Sequence, residues 1–235
     1  MAVFNNILAG AAGQTGGAVV GPIKSVRFND ADSAYLNRTP SSAGNRTTWT
    51  WTGWVKRGNS TNYPPLYSVN GEDFVLRFTN TDTLEIYSYG TGYNFRLLTT
   101  AVYRDSSAWY HILLAYDSTQ ATDSERISLY VNGSEVTSFS STTWPSLNHQ
   151  SGNSATAWHI GNLYNTYYFD GYLADVYFID GQALDPTDFG AFDDNGVWQA
   201  AAYSGSFGTN GFHLFDFANE SGIGNDSSGN DNDFT

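Results

Sequence analysis

No cysteine occurs in the 235 residues and methionine occurs only once, so neither a disulfide framework nor a thiolate metal site contributes to stability or chemistry. Positive charge is scarce: 10 Lys and Arg stand against 23 Asp and Glu, for a net charge of −13 and a pI near 4.3. Nucleic acid is therefore no expected partner, because phosphate recognition draws on clustered Lys and Arg. Long apolar runs are missing too. Asn5, Asn6 and Gln14 interrupt the apolar start and no Lys or Arg precedes Lys24, so neither a secretory signal with a basic start nor an inserted membrane span is expected of this stretch. Helix formers are few, and four histidines, His111, His149, His159 and His213, have neither triad-like nor metal-ligand spacing; a structural or surface role fits each better.

Aromatic and small residues fill the place of these. Tyr 16, Phe 15, Trp 7 and abundant Thr and Ser suit pleated, half-buried strands, while Gly 24 supplies turns. The length fits one large sandwich whose core needs no cross-links. The expected fold class is all-β, an antiparallel two-sheet jelly-roll sandwich with an extended N-terminal arm. Residues 1–22 form the uncharged arm, 23–220 the sandwich, and 221–235 a linker leading into a further C-terminal segment.

Strand periodicity is clearest in "WTWTGWVKR", where Trp49, Trp51, Gly53 and Val55 alternate with Thr50, Thr52, Trp54 and Lys56. Extending the same alternation places Phe28, Leu129, Val131, Leu173 and Val176 in the core with Trp49, Trp51 and Val55. Trp54 falls on the opposite face and is read as packing there. Asn132-Gly133 between apolar strand residues signals a hairpin whose turn needs positive φ. One helical turn is expected at "ALDPTDFGAF", capped by Asp185 with Pro186 in first position.

The segments "SVRFNDADSAYLNRTPSSAGNRTTWTWTGWVKRGN", "AWYHILLAYDSTQATDSERISLYVNGSEV" and "YFDGYLADVYFIDGQALDPTDFG" together resemble the laminin-G-like, concanavalin-A-type jelly roll, in particular the form found in bacteriophage tail-fibre and other virion proteins. The opening "MAVFNNILAGAAGQ" is similar to the start of large marine-phage structural proteins that carry such a domain. The resemblance implies a virion protein, a tail fibre rather than a head fibre or capsid decoration, whose arm binds another virion protein. It implies a homo-oligomer as well, a trimer if the chain is a fibre. Phe4, Ile7 and Leu8 are the arm's apolar anchors under this reading; a leader without a role is the plain alternative.

Three candidate sites remain. "GNLYNTYYFDG" gathers Asn162, Tyr164, Asn165, Tyr167, Tyr168 and Asp170, and "YSYGTGYN" adds Tyr89, Tyr93 and Asn94. Aromatic faces beside amides and carboxylates suit either a host surface polysaccharide or a protein interface. Calcium is the cation that hard oxygen ligands and the resemblance would favour, through Asp226 and Asp231 or through Asp30 and Asp32; both clusters are equally ordinary turn formers. Hydrolysis is not expected. A retaining glycosidase needs paired carboxylates about 5 Å apart, and Asp216 with Glu220 makes a poor pair because the Glu falls where a turn begins.

Overall fold

A computed structural model describes residues 24–58, 62–217 and 222–235 together with the backbone of 3–4. The strands in chain order are β1 (Val3–Phe4), β2 (Ser25–Phe28), β3 (Leu36–Arg38), β4 (Thr48–Arg57), β5 (Pro65–Val69) and β6 (Phe74–Phe78). There follow β7 (Thr83–Tyr89), β8 (Tyr93–Val102), β9 (Tyr110–Asp117), β10 (Ile127–Val131), β11 (Ser134–Glu135), β12 (Phe139–Thr143) and β13 (Trp158–Ile160). The chain continues through β14 (Asn162–Leu163), β15 (Tyr167–Tyr168), β16 (Gly171–Asp180), β17 (Gly190–Phe192), β18 (Trp198–Ala200) and β19 (Phe212–Leu214).

Every pairing is antiparallel. One sheet runs β1-β2-β16-β4-β9-β10-β11, with β19 also beside β16; the other runs β12-β8-β7-β6-β5-β13-β3. The long β16 lies along β4 on one side, while β2 takes its first half and β19 its second half on the other. A bulge separates the two halves, where Asp175 takes φ 52°. Its carboxylate is held 2.7 Å from His213 Nε2, which compensates the strained backbone of a non-glycine residue in this region.

The alternation in β4 carries Trp49 and Trp51 into the core, fully buried with Phe28 and Val55. Trp49 stacks on Tyr116 at 5.0 Å, meets Phe74 edge-on at 4.8 Å, and donates from Nε1 to the Ser151 carbonyl at 3.0 Å. It thus joins both sheets to a loop, and burial of this size contributes about 3 kcal/mol per large aromatic. Leu129, Leu173 and Val176 are buried as expected, whereas Val131 is half-buried because it ends β10 at the turn. The Asn132-Gly133 turn has φ 50° and 74°, as a two-residue hairpin requires.

Thr50 and Thr52, on the outward face of β4, are also fully buried. The segment after β16 folds back over this face, placing Trp198 of the β17–β18 hairpin on Trp54 and Ala174. Trp54 therefore packs, as read. The helical turn exists as Pro186–Asp188, a single 3-10 turn.

The expected linker differs from the structure. Phe234 is buried against Phe212 at 4.8 Å, and Thr235 exchanges two 2.9 Å backbone hydrogen bonds with Asn37. Residues 222–235 thus close the free edge of β3, because an apolar side chain near the end of a polar stretch outweighs the stretch's loop-like composition. At the other end, Val3 and Phe4 pair with Val26 and Ser25 at the margin of the first sheet. Ile7 and Leu8, and the side chain of Phe4, lie outside the described residues.

Candidate glycan-binding surface

Between β5 and β6 the chain reverses through Asn70 and Gly71, at φ 46° and 68°, and delivers Glu72 to the outer side of the second sheet. Glu72 Oε1 accepts the Tyr87 hydroxyl at 2.8 Å, its carboxylate lies beside the Tyr164 phenol, and its carbonyl accepts the Tyr89 amide at 2.9 Å. Tyr164 comes from the β14–β15 hairpin, whose turn residues Tyr164 and Asn165 take φ 59° and 51°. Its ring crosses Gly71 so closely that a β-carbon there would lie 2.8 Å from Cε1. Burial, reinforced by the neighbouring Glu72 carboxylate, pushes the Tyr164 phenol up to about 12; burial raises Tyr87 as well.

Tyr89 and Tyr93 flank the Gly90–Gly92 turn with ring centroids 5.2 Å apart and edge-on; Tyr93 meets Tyr87 the same way at 5.7 Å. Tyr164, Tyr93 and Tyr89 remain 54%, 44% and 42% exposed. Beside them the outward residues of β6, β7 and β8 form an ionic ladder. Glu85, 1% exposed, accepts Arg77 Nε and Nη2 on Oε2, each at 2.7 Å. Its Oε1 accepts Arg96 Nε at 2.7 Å and Nη2 at 2.6 Å. The Arg77 guanidinium lies between the Tyr63 and Tyr87 rings, 4.7 Å from each, and Arg96 lies 4.9 Å from the Tyr93 ring. Clamped cations and crossed rings hold the surface in one geometry, the condition for binding without a large ordering cost.

The two tyrosine-rich stretches therefore meet, but not with all of their residues. Tyr164 lies beside the Glu72 carboxylate, Tyr89 donates its amide to the Glu72 carbonyl, and Tyr93 joins them through its ring contacts with Tyr87 and Tyr89. Asn162 is fully buried, its carbonyl accepting Ser68 Oγ at 2.8 Å, so it builds the hairpin and is not free for a ligand. The Asn165 amide donates to Asn162 Oδ1 at 3.4 Å. Tyr167 packs under the hairpin on Val75, Tyr87 and Leu163. Tyr168 points instead towards Tyr35 at 6.3 Å, as alternation within a two-residue strand demands. Asp170 forms an ion pair with Arg27, away from the cluster. Asn94 donates to Ser88 Oγ at 3.1 Å.

Sequence reading missed Glu72, Arg77, Glu85 and Arg96. The signal for Glu72 was present, since "SVNGED" has the same Asn-Gly pair as the hairpin that was read. Arg77 and Glu85 were legible as outward positions of "FVLRF" and "TLEIYSY", but their pairing across strands follows only from register, in which Arg77 stands opposite Glu85.

The acidic candidates are engaged otherwise. Asp226 accepts the His213 amide and the Ser228 amide on Oδ1, each at 2.8 Å. Its Oδ2 accepts Ser228 Oγ at 2.7 Å and the Asn232 amide at 2.9 Å. Four donors saturate the carboxylate and make it a turn anchor. Asp30 and Asp32 sit in an exposed 3-10 turn, where Asp32 accepts Asn29 Nδ2 at 2.6 Å. Among the described residues no three His, Cys, Asp or Glu are grouped to hold a metal ion, and Asp231 joins no such group. Asp216 pairs with Lys24 at 2.6 Å, and Glu220 lies outside the described residues. No helix among the described residues is long and apolar enough to cross a membrane.

Two facing antiparallel sheets with an aromatic outer surface define a lectin-like β-sandwich domain. Residues 29–188 match the family described as the concanavalin A-like lectin/glucanases superfamily, of laminin G type; that is more than half of the chain, and the chain belongs to this family. No curated protein matches the sequence. Among solved structures, a candidate carbohydrate binding protein from Bacteroides ovatus is similar at TM-score 0.53 and 16% identity, over 83% of this chain and 55% of that one. The chain thus spans about half the length of that protein. Domain 4 of an extracellular arabinanase from Geobacillus stearothermophilus, in complex with arabinotriose, is similar at TM-score 0.52 and 17% identity, over 79% of this chain and 84% of that one. At these identities the likeness establishes the fold.

Proposed function

We propose that the chain is a non-catalytic carbohydrate-binding module whose ligand lies across the strip formed by Tyr164, Glu72, Tyr89 and Tyr93. The observation that carries this reading is the gathering of three exposed tyrosines, Tyr164, Tyr89 and Tyr93, from two separate turns around the Glu72–Tyr87 pair: the Glu72 carboxylate accepts the Tyr87 hydroxyl and lies beside the Tyr164 phenol, and Tyr93 packs edge-on against Tyr87 and Tyr89. Sugar rings present C–H faces that pack on aromatic rings and hydroxyls that bond to carboxylates. Family membership and the carbohydrate contexts of the two similar structures support it. Hydrolysis is disfavoured because Glu85 is buried and bonded on both oxygens, out of reach of a glycosidic oxygen, while Glu72 lacks a second free carboxylate in the described cluster. The test is a panel of immobilised plant and bacterial oligosaccharides. Retention of at least one member that falls tenfold or more in Tyr93→Ala supports the reading; no retention, or retention indifferent to Tyr93 and Tyr164, refutes it.

The setting we propose is a phage virion, with the module in an oligomeric fibre presented to a host surface polysaccharide. Its support is the opening sequence, uncharged before Lys24 and carrying Phe4, Ile7 and Leu8 as apolar anchors. Quantifying the chain in purified particles, with and without residues 1–21, tests it: normal incorporation of the shortened chain removes the arm from attachment.

A further inference from the structure

We infer that Arg96 is the specificity-determining contact of this surface and that it selects a glycan bearing a carboxylate, such as a uronate; the inference rests on the carbohydrate-binding reading above. Glu85 receives Nε and Nη2 of Arg96, which occupies the side of the guanidinium fork. The end of the fork, formed by Nη1 and the second proton of Nη2, has no partner among the described residues. That end is the geometry that binds a planar carboxylate through two parallel hydrogen bonds. Arg96 is also the more open of the two cations, 30% exposed against 14% for Arg77.

Electrostatics point to the same end of the strip. One carboxylate, Glu85, is shared by two guanidiniums, so the ladder keeps one positive charge. Glu72 offsets it at the Tyr87 and Tyr164 end, where Arg77 lies between Tyr63 and Tyr87. Arg96, beside Tyr93, has only its half-share of Glu85. The strip is therefore polarised, with a hydroxyl-accepting carboxylate at Glu72, aromatic faces between, and a cation at Arg96. In a chain of net charge −13 a free acidic polysaccharide is repelled by the surface as a whole, so a local cation held rigidly by Glu85 and the Tyr93 ring is what would admit one. The aromatic contact and the two clamping bonds also hold the fork before ligand arrives, which lowers the ordering cost that an exposed Arg otherwise incurs.

The test compares an oligogalacturonate with the same oligosaccharide after its carboxyl groups are reduced to primary alcohols, by calorimetry at low and moderate salt. The wild type is expected to bind the acidic form at least tenfold more tightly. Arg96→Gln should bring the affinities for the two forms to within about twofold of each other, the ratio between them being the readout. Arg96→Lys, which keeps a cation opposite Glu85 and so protects the fold, should lose most of the preference because ammonium lacks the fork. Thermal melting of both variants identifies any loss due to unfolding. Equal binding of both forms by the wild type, or an undiminished preference in Arg96→Lys, overturns the role of Arg96 and leaves the carbohydrate-binding reading intact. If neither form binds while a neutral glycan of the panel does, the acidic specificity is refuted; if nothing in the panel binds, both readings fall.

Discussion

The Tyr87 hydroxyl donates to Glu72 at 2.8 Å, tying the turn before β6 to the outward face of β7. The same carboxylate lies beside the Tyr164 phenol, so one side chain faces a ring from strand β7 and a ring from the β14–β15 turn. Glu72→Gln keeps the shape but replaces a charged acceptor by a neutral one and offers a donor where a phenol already donates. Stability should fall by about 1–2 kcal/mol, the size of a charge-assisted hydrogen bond to a partly buried partner. Glycan retention should fall several-fold through release of Tyr164. Urea denaturation and affinity chromatography measure the two effects; retention unchanged in this variant would detach Tyr164 from binding.

Gly133 carries two constraints. Its φ is 74°, and a β-carbon there would lie 2.2 Å from Cε3 of Trp198. Gly133→Val should therefore cost about 2–4 kcal/mol, since backbone strain adds to displacement of a packed indole. Gly133→Ala should show most of the clash with less strain. The midpoint of thermal unfolding in each variant checks this, and a loss in valine alone would assign the cost to backbone rather than to Trp198.

The first constraint was legible in the sequence and the second was not. Asn132-Gly133 announces its turn by the local preference for positive φ, and the alternation of Trp49, Trp51 and Val55 announces a buried face, because both depend on neighbours along the chain. Trp198 over Gly133, Arg77 opposite Glu85 and Tyr164 over Gly71 join residues far apart in sequence. Their contacts follow from strand order and register, which no local pattern encodes. The same limit explains Asn162 and Asp170: composition placed them with the tyrosines, while pleat and turn geometry sent one into the hairpin and the other to Arg27.

His111 is buried on the outer face of the first sheet, 2.9 Å from Thr52 Oγ1 and against the rings of Trp54 and Trp198. Burial lowers its imidazole to about 4, with Asp175 opposing the shift. An unfolded chain protonates the same group near its ordinary value of about 6.5. Above that pH neither state carries the proton and the group adds no penalty. As pH falls from about 6.5 to about 4, only the unfolded state gains it, so stability declines by about 3 kcal/mol over that window. His111→Phe should flatten this part of the profile while costing stability at neutral pH through the lost Thr52 bond. Chemical denaturation at pH 7.5, 5.5 and 4.5 reads the difference, and parallel profiles for the two proteins would place the acid sensitivity elsewhere.

The closing segment offers the clearest contrast between composition and structure. Residues 225–233 are all Asn, Asp, Ser or Gly, a composition typical of chain without a core. Yet their side chains are spent on the fold: Asn232 Nδ2 donates to the Thr209 and Gly211 carbonyls at 3.0 and 2.8 Å, and its Oδ1 accepts from Arg38. Asp226 saturates four donors. These bonds deliver Phe234, 3% exposed, into the main core beside Phe212. Phe234→Ala should then cost about 3 kcal/mol, the cost of removing a buried aromatic with partial collapse of the space. Phe234→Leu should recover more than half of that, because most of the apolar area is kept. Hydrogen exchange should show the amides of Asn37 and Thr235, which bond each other's carbonyls at 2.9 Å, losing protection together in the alanine variant. A linker would respond to neither substitution, so unchanged stability in Phe234→Ala would return residues 222–235 to that role.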